Sequence, residues 1–389
     1  MSEPAYTTDA RHAASPKGRL AYLATTSGLG GAEQQVRALA REFRGRGWDV
    51  GVISMLPLEP LFADLRTEGI RAASLSVRRG VPDPRAIVRL ARLLQRWRPD
   101  VLHSHMVHAN LLARITRLVM PVPVVISTIH NEDEGAQWRY VAYRVTARLA
   151  DATTAVSRAA VEASIRRGAA GGRSIDLMPN GIRIDRASSG PVGREALRTS
   201  LGLDDAFAWL AVGRLTEAKA YPDLVQAFAM VLERRPDARL LIAGEGPLAA
   251  DLRRVIDQSR LADRVALLGR RDDVAQLMAA ADAFVLASAW EGLPMVLLEA
   301  AVTEMPIVAT DVGGTRDVLS DGVSGLVTPR RVPAQLAARM LQLMAMSPHE
   351  RAAMGAAARS HAEARFSMAN VADLWEELYC SLLAERGAG

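Results

Sequence analysis

Two glutamates lie in the stretch of the sequence that has the clearest chemical content. Glu291 and Glu299 occur in "SAWEGLPMVLLEAAV", where Pro294 suits the first turn of a helix. Glu299 is a charge in an otherwise apolar helix, so we expect a basic side chain or a ligand hydroxyl to satisfy it. The N-terminus of such a helix favours a phosphate. The pattern therefore predicts a site for a nucleotide-sugar, with one carboxylate near the sugar and one near the ribose.

A pair of basic residues follows another predicted strand. Arg214 and Lys219 occur in "VGRLTEAKAYPDL", just before a helical pattern. Either residue alone is more often a solvated surface charge. Together, at a junction of strand, loop and helix, they could neutralise a diphosphate leaving group.

A glycine-rich loop, "TTSGLGGAEQQ", follows the first apolar run of the chain. Gly28 and Gly30 fit the first two places of the dinucleotide fingerprint Gly-x-Gly-x-x-Gly, but Glu33 occupies the third. The second strand also lacks the acidic residue that would hold a ribose, so an NAD site is disfavoured. What remains is a glycine loop that opens a helix and suits an anion, with a simple tight turn as an equal alternative.

Four histidines follow predicted strands. His103, His105 and His108 lie close together, but no nearby Cys, Asp or Glu completes a metal site. We expect them to pack at a strand end or to line the acceptor side. His130, in "STIHNE", follows another predicted strand, where a capped core histidine is one interpretation.

The elements that must position these residues form two alternating α/β series. The break between them is "SSGPVG" (Ser188–Gly193), the predicted linker. We predict two Rossmann-like, doubly wound domains facing a cleft, with ligands at the carboxyl ends of the strands. The expected divisions are a disordered arm over 1–18, an N-terminal acceptor domain over 19–188, a nucleotide-sugar domain over 194–366, and a helix near 369–389 as a candidate to pack back on the first domain.

Composition narrows the class of protein. The 389 residues include a single cysteine, Cys380, and carry a net charge of +5. No stretch reaches the length of a membrane span and the N-terminus lacks an apolar signal core, so we expect a cytoplasmic protein. Arginines cluster between Arg41 and Arg98, which fits solvated helix faces or contact with the anionic inner face of the cytoplasmic membrane. They are not interleaved with aromatic residues, so nucleic acid is not expected.

Several motifs together make the sequence resemble the GT-B-fold glycosyltransferases of family 4, the retaining enzymes of the group-1 type. The resemblance runs from about residue 19 to the C-terminus, in the order of the family. The motifs are "GGAE" (Gly30–Glu33), "PNGI" (Pro179–Ile182), "VGRLTEAKAYPDL" (Val212–Leu224), "AGEGPL" (Ala243–Leu248), "WEGLPMVLLEA" (Trp290–Ala300) and "IVATDVGG" (Ile307–Gly314).

The resemblance implies a role for each matching residue. Glu291 would contact the donor sugar and Glu299 the nucleotide ribose, while Arg214 and Lys219 would bind the diphosphate. Gly30 and Gly31 would approach the phosphates, and His130 would face the donor sugar. The implied catalytic residues are His130, Arg214, Lys219 and Glu291; the implied donor-binding residues are Gly30, Gly31, Arg214, Lys219, Glu291, Gly292, Leu293, Pro294 and Glu299.

The implied reaction is transfer of a hexose from a nucleoside-diphosphate sugar, with UDP preferred, to an acceptor hydroxyl with retained configuration. The acceptor would be a saccharide or a lipid-linked molecule of cell-envelope polysaccharide, lipopolysaccharide or glycolipid synthesis. No protein nucleophile is evident, and the acceptor proton would pass to the leaving phosphate. The sequence lacks the Asp-x-Asp triplet of metal-dependent sugar transferases, so neither a metal nor another cofactor is expected.

The sequence departs from the family pattern at two places. Ala218 and Ala220 flank Lys219 where relatives often have Glu-Lys-Gly, and Glu304 and Met305 stand where relatives often have glycine. Three other kinds of protein remain as alternatives. They are a phosphorylase holding pyridoxal phosphate, a nucleotide-sugar epimerase, and a non-catalytic subunit of an envelope-polymer complex.

Overall fold

Two parallel β-sheets organise the chain. The structure is a computed structural model that describes residues 17–28, 30–80, 83–184 and 191–387. Within these residues the first sheet has the strand order β3-β2-β1-β4-β5-β6-β7 and the second has the order β10-β9-β8-β11-β12-β13. The strands are β1 (Arg19–Ala24), β2 (Asp49–Ser54), β3 (Arg71–Ser74), β4 (Val101–His105), β5 (Val124–Ile129), β6 (Ala152–Ala155), β7 (Asp176–Leu177), β8 (Ala208–Val212), β9 (Arg239–Ala243), β10 (Val265–Gly269), β11 (Ala283–Leu286), β12 (Ile307–Thr310) and β13 (Leu326–Thr328).

Helices connect the parallel strands, as parallel pairing requires. The predicted α/β, doubly wound fold class is confirmed. The helices are α1 (Gly31–Gly45), α2 (Pro60–Ala63), α3 (Arg85–Trp97), α4 (Val107–Thr116), α5 (Gln137–Val145), α6 (Arg158–Arg166), α7 (Pro191–Ser200), α8 (Tyr221–Leu232), α9 (Ala249–Gln258), α10 (Val274–Ala280), α11 (Met295–Val302), α12 (Thr315–Val318), α13 (Pro333–Ala345), α14 (Pro348–Phe366) and α15 (Met368–Gly387). Short 3₁₀ turns at Asp64–Glu68, Ala147–Leu149 and Glu217–Lys219 complete the connections.

The strands are apolar because helices cover both faces of each sheet. In the second sheet, Leu210 and Phe284 belong to the core on one face, whereas Trp209 and Val285 belong to the core on the other. Neighbouring residues of a strand point to opposite faces, so both must be apolar when both faces are buried. This explains why the strands are continuous apolar runs in the sequence.

Both sheets reverse their strand order next to their first strand. β1 lies between β2 and β4, and β8 lies between β9 and β11. Connections leave such a strand in opposite directions, and the loops at its carboxyl end leave a crevice for a ligand. In the first sheet, the glycine loop follows β1. In the second, the loop containing Lys219 follows β8.

The chain divides into two compact units that differ from the predicted domains. Among the described residues, one unit contains those up to Ser127, Leu149–Asp151 and those from Tyr379 to Gly387; the other contains Thr128–Arg148 and those between Ala152 and Leu378. The segments after β5 and β6 belong to the second unit because they contact its loops. Asn131 forms a β-bridge with Gly292, and the Arg158 N–H donates to the Asp317 carboxylate over 2.9 Å.

The C-terminal end of α15 belongs to the core of the first unit. The Tyr379 hydroxyl lies 2.7 Å from Nδ1 of His103, and the Tyr379 ring packs against Phe43 and Trp48. All four side chains are buried. The C-terminal end of α15 and the first strands and helix of the chain therefore share one core.

The sequence did not predict the edge strands β3 and β13. Each is short, and its register is set by its neighbour in the sheet. The predicted arm lies outside the described residues except for Lys17 and Gly18, as does the Ser188–Gly190 part of the predicted linker. Residues 191–193 of that stretch begin α7, where proline at the first position is favourable.

The end of α11 shows how the chain accommodates its missing glycine. The Glu304 N–H donates to the Ala301 carbonyl over 3.0 Å, and the Met305 N–H donates to the Ala300 carbonyl over 3.1 Å. This pair of bonds is a Schellman motif, which places one residue in the left-handed conformation. Glu304 occupies that position with φ 58°.

Substituting glycine for Glu304 should stabilise the fold. Left-handed backbone costs a residue with a Cβ about 1–2 kcal/mol, and glycine is nearly free of that cost. The Glu304 contact with Arg359 is long, at 3.7 Å, and exposed, so its loss should matter little. Glu304→Ala is the matched control, since it removes the same contact but keeps the strain. Chemical denaturation should show the Gly variant to be more stable than the Ala variant by about 1 kcal/mol; equal stability would refute the strain.

Candidate active site

Lys219 and Glu291 meet at the switch point of the second sheet. Lys219 follows β8 and Glu291 follows β11, and these two strands are neighbours. Lys219 Nζ donates to Glu291 Oε1 over 2.6 Å, and the Ser288 hydroxyl donates to the same oxygen over 2.7 Å. Both charged side chains are largely buried, with exposures of 17% and 15%. A single carboxylate oxygen thus ties the two loops together.

Close backbone contacts shape the loops after β8 and β9. A Cβ at Gly244 would lie 1.9 Å from the Gly213 carbonyl oxygen, and one at Gly246 would lie 2.5 Å from the Leu215 carbonyl oxygen. Only glycine permits such an approach. A Cβ at Gly213 would lie 2.9 Å from Cε of Lys219, so the lysine stem runs directly over this turn.

The loop after β11 packs on the loop after β5 in the same way. A Cβ at Gly292 would lie 1.7 Å from the His130 carbonyl oxygen, and one at Gly313 would lie 2.4 Å from the Glu291 carbonyl oxygen. The Gly314 N–H donates to the Gly292 carbonyl over 2.6 Å. His130 and Glu291 are therefore held on adjoining loops.

His130 is buried and uncharged at neutral pH. Its side chain is only 7% exposed, and desolvation lowers its pKa to about 4. Two residues later, Glu132 accepts the Gly313 N–H, and Arg330 lies 3.5 Å from Glu132 Oε1. Desolvation nevertheless raises the pKa of Glu132. A neutral imidazole in such surroundings can hydrogen-bond a ligand hydroxyl without adding charge to the site.

Glu299 faces solvent, although every other residue of α11 is apolar. Its neighbours Leu298 and Ala300 are fully buried, whereas the Glu299 side chain is exposed. The surrounding protein still raises the pKa of Glu299 by desolvation, and the charge of Lys219 opposes that shift. The carboxylate is thus crowded by protein yet open on one side, as expected for a group that binds a ligand.

The remaining predicted donor residues of this unit lie around the same loops. Leu293 and Pro294 are buried, and α11 begins at Met295, one residue after the predicted start. Arg214 is exposed and forms no ion pair among the described residues. The structure therefore brings Lys219 and Glu291 together but leaves Arg214 extended toward solvent.

Gly30 and Gly31 belong to the other unit, where they open α1. Gly30 is the N-cap of that helix without a side-chain cap, and a Cβ there would lie within van der Waals overlap of the Glu33 carboxylate. Glu33 is buried, so its negative charge already lies near the helix N-terminus. The approach of this loop to phosphates stays a prediction.

The three histidines in and after β4 belong to the first unit. His103 and His105 are buried and their ring centroids lie 4.1 Å apart, while His108 is exposed. In the part of the chain that the structure describes, no cluster of His, Cys, Asp and Glu could hold a metal ion. Within the same residues, no helix is long and apolar enough to cross a membrane.

Two residues of the loops around the site were not predicted from the sequence. Ser288 orients Glu291, and its position two residues after a strand was the available signal. Glu134 is buried four residues after His130, and its carboxylate accepts the Asn131 N–H. No described residue hydrogen-bonds Glu134 Oε1. Desolvation raises the pKa of Glu134 to about 7, against the opposing charge of Arg139.

Each half of the chain matches a known family of glycosyltransferases. The family described as Glycosyl transferases group 1 matches residues 193–361, and the family described as Glycosyltransferase Family 4 matches residues 29–186. Together the two matches span most of the chain.

Individual relatives are similar over much of their length. A UDP-Gal:alpha-D-GlcNAc-diphosphoundecaprenol alpha-1,3-galactosyltransferase of Escherichia coli is 26% identical, over 64% of this chain and 67% of its own. A GDP-mannose-dependent alpha-(1-6)-phosphatidylinositol monomannoside mannosyltransferase of Mycobacterium tuberculosis is 29% identical, over 78% of this chain and 83% of its own. The crystal structure of Anabaena HepE in complex with UDP and glucose has a TM-score of 0.83 at 21% identity, covering 94% of this chain and 100% of HepE. This likeness shows the GT-B fold.

Replacing Glu134 with glutamine should change how stability depends on pH. The folded pKa, about 7, lies above the ordinary value of 4.5, so folding opposes ionisation of this carboxyl. The wild type should therefore lose stability as pH rises from 4.5 to 7, by on the order of 2–3 kcal/mol. Glu134→Gln stays neutral and should be the more stable protein at pH 8 but not at pH 4.5, in denaturant titrations at both values.

Asp133→Asn is the control for Glu134→Gln. Hydrogen bonds from the Gly135 N–H and from Arg167 and Tyr140, together with the charge of Arg167, outweigh desolvation and hold the pKa of Asp133 below its usual value. Its carboxylate therefore stabilises the fold above the unfolded pKa, and its loss should destabilise at pH 8. A Glu134→Gln variant with the same pH dependence as wild type would show that Glu134 is not the titrating group.

Proposed function

The chain belongs to the glycosyl transferases group 1 family, and we propose that it transfers a hexose from a nucleoside-diphosphate sugar to an acceptor hydroxyl with retention of configuration. The observation that carries this proposal is the Lys219–Glu291 pair at the switch point of the second sheet. Glu299 lies close enough for Lys219 to influence its ionisation. A cation between two carboxylates suits a ligand with a diphosphate between two polyhydroxylated groups.

In the proposed donor complex, Glu291 contacts the sugar and Glu299 the ribose. Lys219 and the exposed Arg214 neutralise the diphosphate, together with the N-terminus of α11. UDP is the proposed nucleotide. The E. coli relative is named for UDP-Gal and HepE was crystallised with UDP and glucose, whereas the mycobacterial relative is named for GDP-mannose.

The proposed chemistry needs positioning and charge stabilisation more than a protein nucleophile. The transition state has oxocarbenium character, and the negative charge grows on the leaving diphosphate. Lys219 and Arg214 stabilise that charge, and the acceptor proton passes to the leaving phosphate as the new bond forms. Neutral His130 adds a hydrogen bond near the sugar. We propose that no metal or other cofactor takes part.

The proposed acceptor is a saccharide or lipid-linked molecule of the cell envelope. The two relatives named above act on diphosphoundecaprenol- and phosphatidylinositol-linked glycans, according to their names. We propose a cytoplasmic protein that meets the inner face of the cytoplasmic membrane. Within the arginine-rich region, Arg41, Arg46 and Arg89 pair with acidic residues, so α3 supplies positive charge to such a contact through exposed Arg85, Arg92 and Arg96.

Removing the Glu299 carboxylate should weaken nucleotide binding. Loss of a hydrogen bond to a charged group costs roughly 1.5–3 kcal/mol, so Glu299→Ala should bind its nucleoside diphosphate about 10- to 100-fold more weakly. Calorimetric titration with UDP and with GDP measures the effect and identifies the base. Glu377→Ala, an exposed glutamate of α15, is the matched control. Unchanged affinity in a folded Glu299→Ala protein would rule out the ribose role.

Lys219 and Arg214 should affect turnover more than donor affinity. Their charges act most strongly as the diphosphate departs, so Lys219→Ala should lower kcat by at least about 100-fold. Arg214→Lys keeps the charge but loses the planar fork that can hold two phosphate oxygens, and should also be slow. Steady-state kinetics with the true donor, run in excess chelator to exclude divalent cations, measures both. Near-wild-type kcat in both variants would refute the leaving-group assignment.

A further inference from the structure

Helix α5 is apolar on its exposed face as well as on its buried face. Tyr140 and Tyr143 face the core and are fully buried. On the outer side Trp138, Val141 and Val145 are 53%, 40% and 71% exposed. A helix at the surface of a water-soluble protein normally presents polar residues there. This second apolar face is not explained by the fold.

The three exposed residues form one continuous stripe. They are spaced by three and then four positions, which places side chains on the same side of a helix. We name Trp138, Val141 and Val145 the α5 stripe. Single exposed apolar residues need no explanation, but a contiguous patch that includes tryptophan marks an interaction site.

The segment that carries the α5 stripe is positively charged. From Gln137 to Ala150 the sequence contains Arg139, Arg144 and Arg148 and no acidic residue. Arg144 and Arg148 are exposed, and neither forms an ion pair among the described residues. The guanidinium of Arg139 lies 5.5 Å from the centroid of the Trp138 ring, a cation–π contact. The face therefore combines apolar side chains with unneutralised positive charge.

We propose that the α5 stripe docks on an anionic lipid bilayer. Tryptophan is favoured at the boundary between headgroups and acyl chains, and a helix lying in that boundary places apolar side chains inward and arginines among the headgroups. The absence of acidic residues over this segment favours a negatively charged surface. The charge thus selects an anionic bilayer over a neutral one, and the apolar stripe selects a bilayer over a soluble polyanion.

Docking at α5 would bring the site close to lipid-linked substrates, a consequence that rests on the proposed function. The loop from His130 to Ala136 leads directly into α5, and its first residues pack against Gly292 beside Glu291. A bilayer under α5 therefore lies one short loop away from the residues proposed to hold the donor. This arrangement would favour an acceptor whose lipid stays in the membrane.

Vesicle binding by the full-length protein tests the proposal. We expect sedimentation with phosphatidylglycerol–phosphatidylcholine vesicles, weaker binding in high salt, and little binding to pure phosphatidylcholine. Val141→Glu/Val145→Glu should lower the partition coefficient at least about 10-fold. Val323→Glu is the matched control for the single variant Val145→Glu, because each adds one negative charge and the two valines are similarly exposed, at 63% and 71%. It should bind like wild type.

Tryptophan fluorescence gives an independent readout that a merely unfolded variant would not mimic. Brominated lipid should quench part of the emission of the wild type when vesicles are added, and Trp138→Ser should abolish that part. Circular dichroism and UDP titration without vesicles show that the variants remain folded. UDP titration also tests the proposed function separately, since it needs no membrane.

Three results would overturn the proposal. The first is wild-type vesicle binding by Val141→Glu/Val145→Glu, together with loss of binding by Arg92→Ser/Arg96→Ser, which would place the membrane contact on α3. The second is equal binding to neutral and anionic vesicles, or none to either. The third is concentration-dependent self-association that Val145→Glu abolishes, which would make a second copy of the chain the occupant of the α5 stripe.

Discussion

The contact between Gly292 and the His130 carbonyl is the constraint on which the candidate site depends. A Cβ at position 292 would lie 1.7 Å from that oxygen, so no other residue fits without moving one of the two loops. The same loop accepts the Gly314 N–H and forms a β-bridge to Asn131. His130, Glu291 and the start of α11 therefore occupy fixed positions relative to each other. The positions of the candidate side chains on these loops follow from backbone packing that glycine alone allows.

Charge within the site is balanced around Lys219. Glu291 Oε1 accepts from Lys219 and from Ser288, and Lys219 also opposes the raised pKa of Glu299. Lys219 thus bonds one carboxylate and acts electrostatically on a second. A diphosphate would add negative charge to this group, and Arg214, which follows β8 as Lys219 does, is exposed and pairs with no carboxylate of the described residues. The two basic residues predicted as a pair therefore differ. Lys219 bonds Glu291, whereas Arg214 is exposed to solvent.

The sequence predicts the site best where a charged side chain follows an apolar strand. Lys219 and Glu291 each follow an apolar strand, and parallel strands bring their carboxyl ends to one edge, so their meeting was foreseeable. The exposure of Glu299 was not, because its helix is apolar throughout and only tertiary packing decides which side is covered. Glu134 was missed for a related reason: burial of a carboxyl in a polar loop leaves no periodic signal. The α5 stripe was hidden because an exposed and a buried apolar residue look alike in sequence.

The two departures from the family pattern follow Lys219 and α11, and both are accommodated in the same way. Ala220, which follows Lys219, has φ 46°, and Glu304, which follows α11, has φ 58°. Each adopts the left-handed conformation that glycine would adopt at less cost, by about 1–2 kcal/mol. The helices next to them explain why the strain is tolerated: α8 buries Leu224 and Phe228 completely, and α11 buries Leu297 and Leu298 completely. Burying side chains of this size contributes several kcal/mol to holding each helix in place, which exceeds the local strain. The Lys219–Glu291 bond therefore forms despite the missing glycine, and the departure at Ala220 alters stability rather than the geometry of the charged group.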